Sequence, residues 1–268
     1  MQNTKPEHRP SGKSDAAETP TRSQTLVRGL NIVNAVADAP ASIAEIAMAT
    51  GLTYATVHRI VSVLVEQRYL KTTDARLVAL GPRLIELGFA AHAQMDLVRQ
   101  ARPWLETLAR KTRDTIHLAR LEDGEVSYLD KLSGTRAVEI SSRIGGRKPA
   151  ISTGVGKALI LDRSNAQLTE MYRRDHHLMN YPIPLEEWSR RMESYRTGDY
   201  AFDLGEDEAS IRCVAAPVRD ATRRIIASIS VSSTVDYMDE TRMRALVDEV
   251  RSAAAGISAN LGYHGPRG

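Results

Sequence analysis

Residues 43–62, IAEIAMATGLTYATVHRIVS, fix two short helices and the turn between them. Two helices meeting at a steep angle need a small residue where they touch, and Ala47 supplies it. Four residues on, the turn needs a backbone tolerant of positive φ, and Gly51 stands there. Leu52, Val57 and Ile60 are the apolar anchors that seat the second helix on the first. Upstream, Ser42-Ile43-Ala44-Glu45 has capping-box spacing, so the first helix runs from about residue 43 to Thr50, where Gly51 breaks it. The second starts near Thr53 and reaches about Gln67. This is helix-turn-helix spacing. The outward face of the second helix carries Thr53, Tyr54, Thr56, His58 and Arg59. Short polar groups followed by a cation suit the phosphates and base edges of a major groove in double-stranded DNA. Two short strands, 69–71 and 77–80, follow as a wing about a turn at 73–76, with Lys71 and Arg76 placed to meet backbone phosphates.

Composition permits such a partner without demanding it. Lys plus Arg is 36 and Asp plus Glu is 33, for a net charge of +3. Residues 22–80 hold six Lys/Arg against four Asp/Glu, so any basic footprint is local. Two Phe and two Trp are too few for a base-stacking, single-strand platform. The sole cysteine, Cys213, excludes an intramolecular disulfide framework and a Cys-rich zinc module. No apolar run approaches the ~18 residues of a membrane span. Residues Met1 to Thr21 lack the apolar core of a secretory signal. The expected compartment is the cytoplasm, with no membrane partner, no metal and no cofactor.

Residues 1–21 mix Pro, Ser, Thr and opposed charges without periodicity, and read as a disordered tail. An amphipathic helix over 24–38 places Leu26, Leu30, Val33 and Ala37 on one stripe. From Gly81 a second stripe runs through Leu84, Leu87, Ala91, Met95 and Val98, close to a heptad seam. That helix either packs on its own domain or serves as a linker that also pairs two chains. A further helix around Trp104, Leu105 and Leu108 follows Pro103. From Thr115 the period changes to two, with strands expected at 115–121, 125–132, 137–144, 199–204, 211–219 and 224–233. Helices fall near 155–162, 165–173 and 184–196, and a long closing helix carries Met243, Leu246, Val250, Ala253, Ile257 and Leu261. Strand runs interrupted by helices give an α+β domain.

The run ISTGVGKALI (151–160) fails as a phosphate loop, because Ile151 and Ala158 stand where Gly and Ser/Thr are needed. It fails as a dinucleotide fingerprint at Leu159. What remains is a Gly-rich turn opening a helix, either a seat for a carboxylate or a plain helix start. A hairpin turning at 221–222 sets Cys213 opposite Ser230 and Ala215 opposite Ser228. Cys213, Ser228, Ser230 and Ser232 then share one face, and Ile225, Ala227, Ile229 and Val231 the other. The serine face lines a pocket for a short carboxylate or meets solvent. Asp175-His176-His177 and Glu206-Asp207-Glu208 read as solvated loops. No base can be assigned to Cys213, and no enzymatic activity is expected.

Three stretches resemble the IclR family of bacterial transcriptional regulators over about residues 23–262. They are SIAEIAMATGLTYATVHRIVSVLVEQRYL (42–70) with LVALGPRLIELG (77–88), SRIGGRKPAISTGVGKALI (142–160), and GDYAFDLGEDEASIRCVAAPVRD through IIASISVSS (198–233). The resemblance implies a winged helix-turn-helix over 22–81, a linker helix over 82–97 and a GAF-like effector-binding domain over 98–265. It implies homodimers, often paired into dimers of dimers, and control of a catabolic operon, with repression the expected sign. The effector is a small organic acid. Matched residue by residue, its contacts fall on Gly154, Val155, Asp203, Cys213, Ser230 and Ser232. SYLDKL (127–132), RIGGRKP and FDLGEDE most resemble the branch that regulates sugar-acid use, including 2-keto-3-deoxygluconate. The chain departs from the family pattern at Ile151-Ser152 and at Ala221-Thr222, where Gly is frequent.

Overall fold

A computed structural model describes residues 23–136 and 140–265. The tail expected over 1–21 lies outside them. The chain divides into two compact units, one ending at Gln94 and one beginning at Met95.

In the first unit, α1 (Gln24–Ala35), α2 (Ile43–Thr50) and α3 (Tyr54–Glu66) surround a core of Ile32, Val36, Ile46, Val57, Ile60, Val61, Leu70 and Val78. The expected stripe on α1 is corrected. Leu26 and Leu30 are 62% and 55% exposed, whereas Ile32 and Val36 are buried. The face turned inward carries Ile32 and Val36, with Val33 partly buried beside them and Gly29 facing Ile60. The capping box forms as expected: Glu45 N–H donates to Ser42 Oγ, and Ser42 N–H to Glu45 Oε2. Gly51 adopts φ 66°, and α2 and α3 meet at 111°.

β1 (Leu70–Thr72) and β2 (Val78–Leu80) pair antiparallel, with Lys71 opposite Ala79. Arg76 closes their turn at φ 59°. A Cβ at Gly81 would sit 2.2 Å from the Arg68 carbonyl oxygen, so only glycine lets the chain turn there into α4 (Pro82–Ala93). The stripe expected to continue to Val98 is interrupted. The chain leaves helix at Gln94, and Asp96 caps a new helix, α5 (Leu97–Thr112). Pro103 therefore lies inside α5 and does not precede a helix. On α4, Ile85, Leu87 and Phe89 are exposed.

The second unit is an antiparallel sheet of order β5-β4-β3-β8-β7-β6. Its strands are β3 (Thr115–Glu122), β4 (Glu125–Leu132), β5 (Arg147–Pro149), β6 (Ala201–Asp203), β7 (Ile211–Arg219) and β8 (Ile225–Thr234). One face is covered by α5 and α9 (Glu240–Asn260). The other takes the short helix α6 (Gly154–Leu159). Beside it α7 (Asn165–Asp175) and α8 (Leu185–Gly198) pack on each other. Both sheet faces are buried, so Ile229 and Val231 are as inaccessible as Ser228 and Ser230.

Two strand expectations are corrected. Residues 140–144 form no strand, and residues 137–139 lie outside the described residues. The Lys131 ammonium takes up the Ile140 and Ser142 carbonyls at 2.6 and 2.7 Å, and Gly145 at φ 76° reverses the chain before β5. In the β7–β8 hairpin, Cys213 lies opposite Ser232 and Ala215 opposite Ser230, two residues from the expected register. The turn spans Asp220–Arg224. Asp220 Oδ1 accepts from Thr222 N–H and Arg224 N–H, and Arg223 takes φ 69°. A shift of two preserves strand parity, so the Cys/Ser face survives the correction.

Candidate nucleic-acid interface and buried polar cavity

The α3 face is set by its cap. Thr53 Oγ1 accepts from Thr56 N–H at 3.3 Å, and the two threonine hydroxyls lie 2.9 Å apart. Thr53, Tyr54, His58 and Arg59 are exposed, and Thr56 is half-buried. Tyr54 stacks on His58, with centroids 6.4 Å apart. Arg59 forms no ion pair with any described residue. Lys71 on β1 and Arg76 in the wing turn are both exposed. This unit thus presents one helix face and one hairpin whose cations Arg59, Lys71 and Arg76 form no ion pair among the described residues.

The second unit encloses a cavity of about 40 Å³ between β3, β8, β7, β6 and the first turn of α6. All six positions expected there line it: Gly154, Val155, Asp203, Cys213, Ser230 and Ser232. A Cβ on Gly154 would lie 2.6 Å from Cys213 Sγ, so glycine is what lets α6 rest on β7. Ser228 donates to the Val155 carbonyl at 2.9 Å, which ties α6 to β8. The serine face therefore points into the protein.

The sequence reading missed His117, Tyr128, Ser142 and Lys148, which also line the cavity. His117 Nδ1 lies 3.4 Å from both Ser230 Oγ and Ser232 Oγ, and its Nε2 lies 2.7 Å from Ser142 Oγ. Burial, reinforced by the Lys131 charge, lowers its pKa to about 3, so it is a neutral hydrogen-bonding hub. Burial pushes the Cys213 thiol up to about 11, with the Asp203 charge adding to it. A neutral, buried thiol is a poor nucleophile. Lys148 pairs with Asp207 at 2.9 Å and Glu208 at 3.4 Å beside the cavity.

The expected solvated loop at 206–208 is corrected. Glu206 is 2% exposed, and Lys157 beneath it is 1% exposed. Lys157 Nζ donates to Glu206 Oε1 at 2.8 Å and to the Phe202 carbonyl at 3.0 Å. Glu206 also meets Arg191 at 3.1 Å. Burial opposes ionisation of Glu206, but the Lys157 ammonium outweighs it and holds the carboxyl below its usual range. Among the described residues Asp203 has no ion-pair partner. Its Oδ1 accepts from Gly205 N–H and Glu206 N–H at 2.9 and 3.1 Å. Burial raises it to about 7, against the attraction of Lys157 and with the repulsion of Glu206. The lysine of the Gly-rich run thus has an internal partner and is unavailable to a phosphate.

His176 and His177 are exposed, and among the described residues no cluster of three His, Cys, Asp or Glu could hold a metal ion. Among them, too, no single helix is long and apolar enough to cross a membrane.

Residues 25–74 match the IclR helix-turn-helix domain, and residues 89–259 match the bacterial transcriptional regulator IclR C-terminal family. The HTH-type transcriptional regulator XynR of Escherichia coli is 30% identical over 225 residues, covering 82% of this chain and 89% of that one. The HTH-type transcriptional regulator KdgR of Escherichia coli is 27% identical over 256 residues, covering 94% and 97%. The crystal structure of the Agobacterium tumefaciens repressor BlcR shares the fold. Its TM-score is 0.76 at 22% identity, over 91% of this chain and 99% of that one.

Proposed function

Because this chain belongs to the IclR family of bacterial transcriptional regulators, we propose that it is a cytoplasmic, homodimeric or tetrameric regulator. It binds operator DNA through α3 and the wing and answers to a small carboxylate in the Ser230 cavity. Repression is the proposed sign, as for many regulators of this family, and a catabolic operon is the proposed target. Thr53, Tyr54, Thr56, His58 and Arg59 would meet the major groove, with Lys71 and Arg76 on flanking phosphates. Two recognition helices would enter half-sites about 34–36 Å apart or a multiple of that. The exposed Ile85, Leu87 and Phe89 of α4 support its role in pairing two chains.

The observation that carries the effector half is convergence. Six residues from α6, β6, β7 and β8 line one buried cavity, and with them stand Ser142, Tyr128 and His117. Hydroxyl and imidazole groups around a small acid suit a sugar acid or a keto acid, for which the cavity of about 40 Å³ would have to open, and the likeness of SYLDKL, RIGGRKP and FDLGEDE to the sugar-acid branch favours that class. Cavity occupancy shifts DNA affinity only by the ligand's differential affinity for the two conformations.

Replacing Ser230 by alanine should weaken the effector response about tenfold while unliganded operator affinity stays near normal. The check is a DNA-release titration with the active acid, and a wild-type dose response would remove Ser230 from the site. Proton linkage provides a second test. An anion placed beside Asp203 raises its pKa further, so binding takes up a proton. Effector affinity should therefore rise as pH falls toward about 7, by at most about tenfold per unit, and level off below about 6, where Asp203 is already protonated without ligand. Calorimetry in buffers of different ionisation enthalpy measures that proton. Asp203→Asn should abolish the uptake, and binding with no proton exchanged would contradict the placement.

A further inference from the structure

A second cleft, of about 540 Å³, opens between α8, β6 and the first turn of α9. It lies on the opposite face of β6 and β7 from the Ser230 cavity. Phe202 and Arg212 line the cleft, whereas Asp203 and Cys213 line the cavity. The two share no lining residue.

Its floor is aromatic. The rings of Tyr195, Tyr200 and Phe202 stand 4.9 to 5.9 Å apart by centroid. Three guanidinium groups border it, but they are not equivalent. Arg191 is held by Glu187 and Glu206, and Arg244 by Glu240. Arg212 meets no carboxylate among the described residues. Its Nη1 donates to the Ala209 and Ile211 carbonyls at 2.9 and 2.8 Å, which fixes the plane of the group. Among the described residues the Nε–Nη2 edge has no partner, and that edge is the fork that takes a carboxylate bidentately. Tyr195 is a second unpaired group. It is 4% exposed and lines the cleft, and its hydroxyl makes no hydrogen bond to another described residue. The acids at this rim are already engaged: Asp239 accepts from Arg242 N–H, and Glu240 holds Arg244.

We propose that this cleft is a second ligand site for a monocyclic aromatic carboxylate, with its ring on the Tyr200–Phe202 floor and its carboxylate on Arg212. The size suits a small molecule, since ligand pockets run from about 300 to 1,000 Å³. Arg191 touches both the cleft and Glu206, so occupancy has a direct contact with the buried Lys157–Glu206 pair beside Asp203. The site stands whether or not the Ser230 cavity holds the effector.

The test titrates the full chain with 3-phenylpropionate by ligand-observed NMR and calorimetry. The acid should bind, and 3-phenylpropanamide, which lacks the charge, at least about tenfold more weakly. Arg212→Gln should weaken the acid by about tenfold or more, and Tyr195→Phe by a few-fold. Ser230→Ala should leave it within about twofold, because distant, independent sites do not couple. Equal binding of acid and amide, or no binding of either at millimolar concentration, overturns the proposal. So does loss of the acid in Ser230→Ala, which would place the probe in the other cavity. The amide comparison uses the unaltered chain and decides the matter even if Arg212→Gln does not fold.

Discussion

Replacing Lys157 by methionine should destabilise the C-terminal unit by about 3–5 kcal/mol, the range for removing one partner of a buried ion pair. The methionine would fill the lysine stem's space but leave the Glu206 carboxylate and the Phe202 carbonyl without their donor. Arg191 stays 3.1 Å from Glu206, which argues for the lower end of that range. Denaturant unfolding followed by near-UV circular dichroism measures the loss. The double variant Lys157→Met/Glu206→Gln should recover much of it, because no uncompensated charge is then buried. A loss below about 1 kcal/mol in the single variant would mean that the pair carries little of the unit's stability.

The second large effect falls on DNA. Arg59→Ala should weaken specific operator binding by about 5- to 150-fold, corresponding to about 1–3 kcal/mol for a bidentate contact to guanine. Arg59 is exposed and forms no ion pair among the described residues, so its removal should leave thermal stability unchanged. Competition with single-base operator variants separates its two available roles. A base contact relaxes specificity at one position, whereas a phosphate contact weakens all sequences alike and lowers the salt slope by about one. Unchanged operator affinity would remove Arg59 from the interface.

The helix-turn-helix was legible in the sequence because its determinants are local. The capping box, Gly51 and the anchors Val57 and Ile60 lie within about twenty residues, and each acts through its nearest turn. The orientation of α1 was not legible, because Leu26–Leu30 and Ile32–Val36 are both apolar stripes. The contacts that decide between them are non-local: Ile32 and Val36 pack with Ile46, Val57 and Ile60 in the core of the unit. The cavity was legible as a face but not as a register. Alternation assigns Ser230 and Ser232 to one side of β8, and Cys213 joins them for any turn of the same parity; the Asp220-centred turn moves the pairing by two and so keeps that parity. The Lys157–Glu206 pair was missed because its partners are 49 positions apart and no local period links them. A lysine in an otherwise apolar and glycine-rich helix was the available signal. His117 was hidden for the same reason, since it meets Ser230 and Ser142 only through the sheet.

The central claim joins duplex DNA and a small acid in one molecule, and one titration addresses both. Fluorescence anisotropy of the full-length protein on duplex DNA from upstream of its own gene, against scrambled competitor, is measured with and without a panel of sugar acids and short keto acids. The expected result is specific, salt-dependent binding whose affinity one of these acids changes by about 5- to 150-fold, the range of a coupling energy of about 1–3 kcal/mol. Binding to scrambled and upstream duplex alike across the salt range, unchanged by every acid, would contradict it.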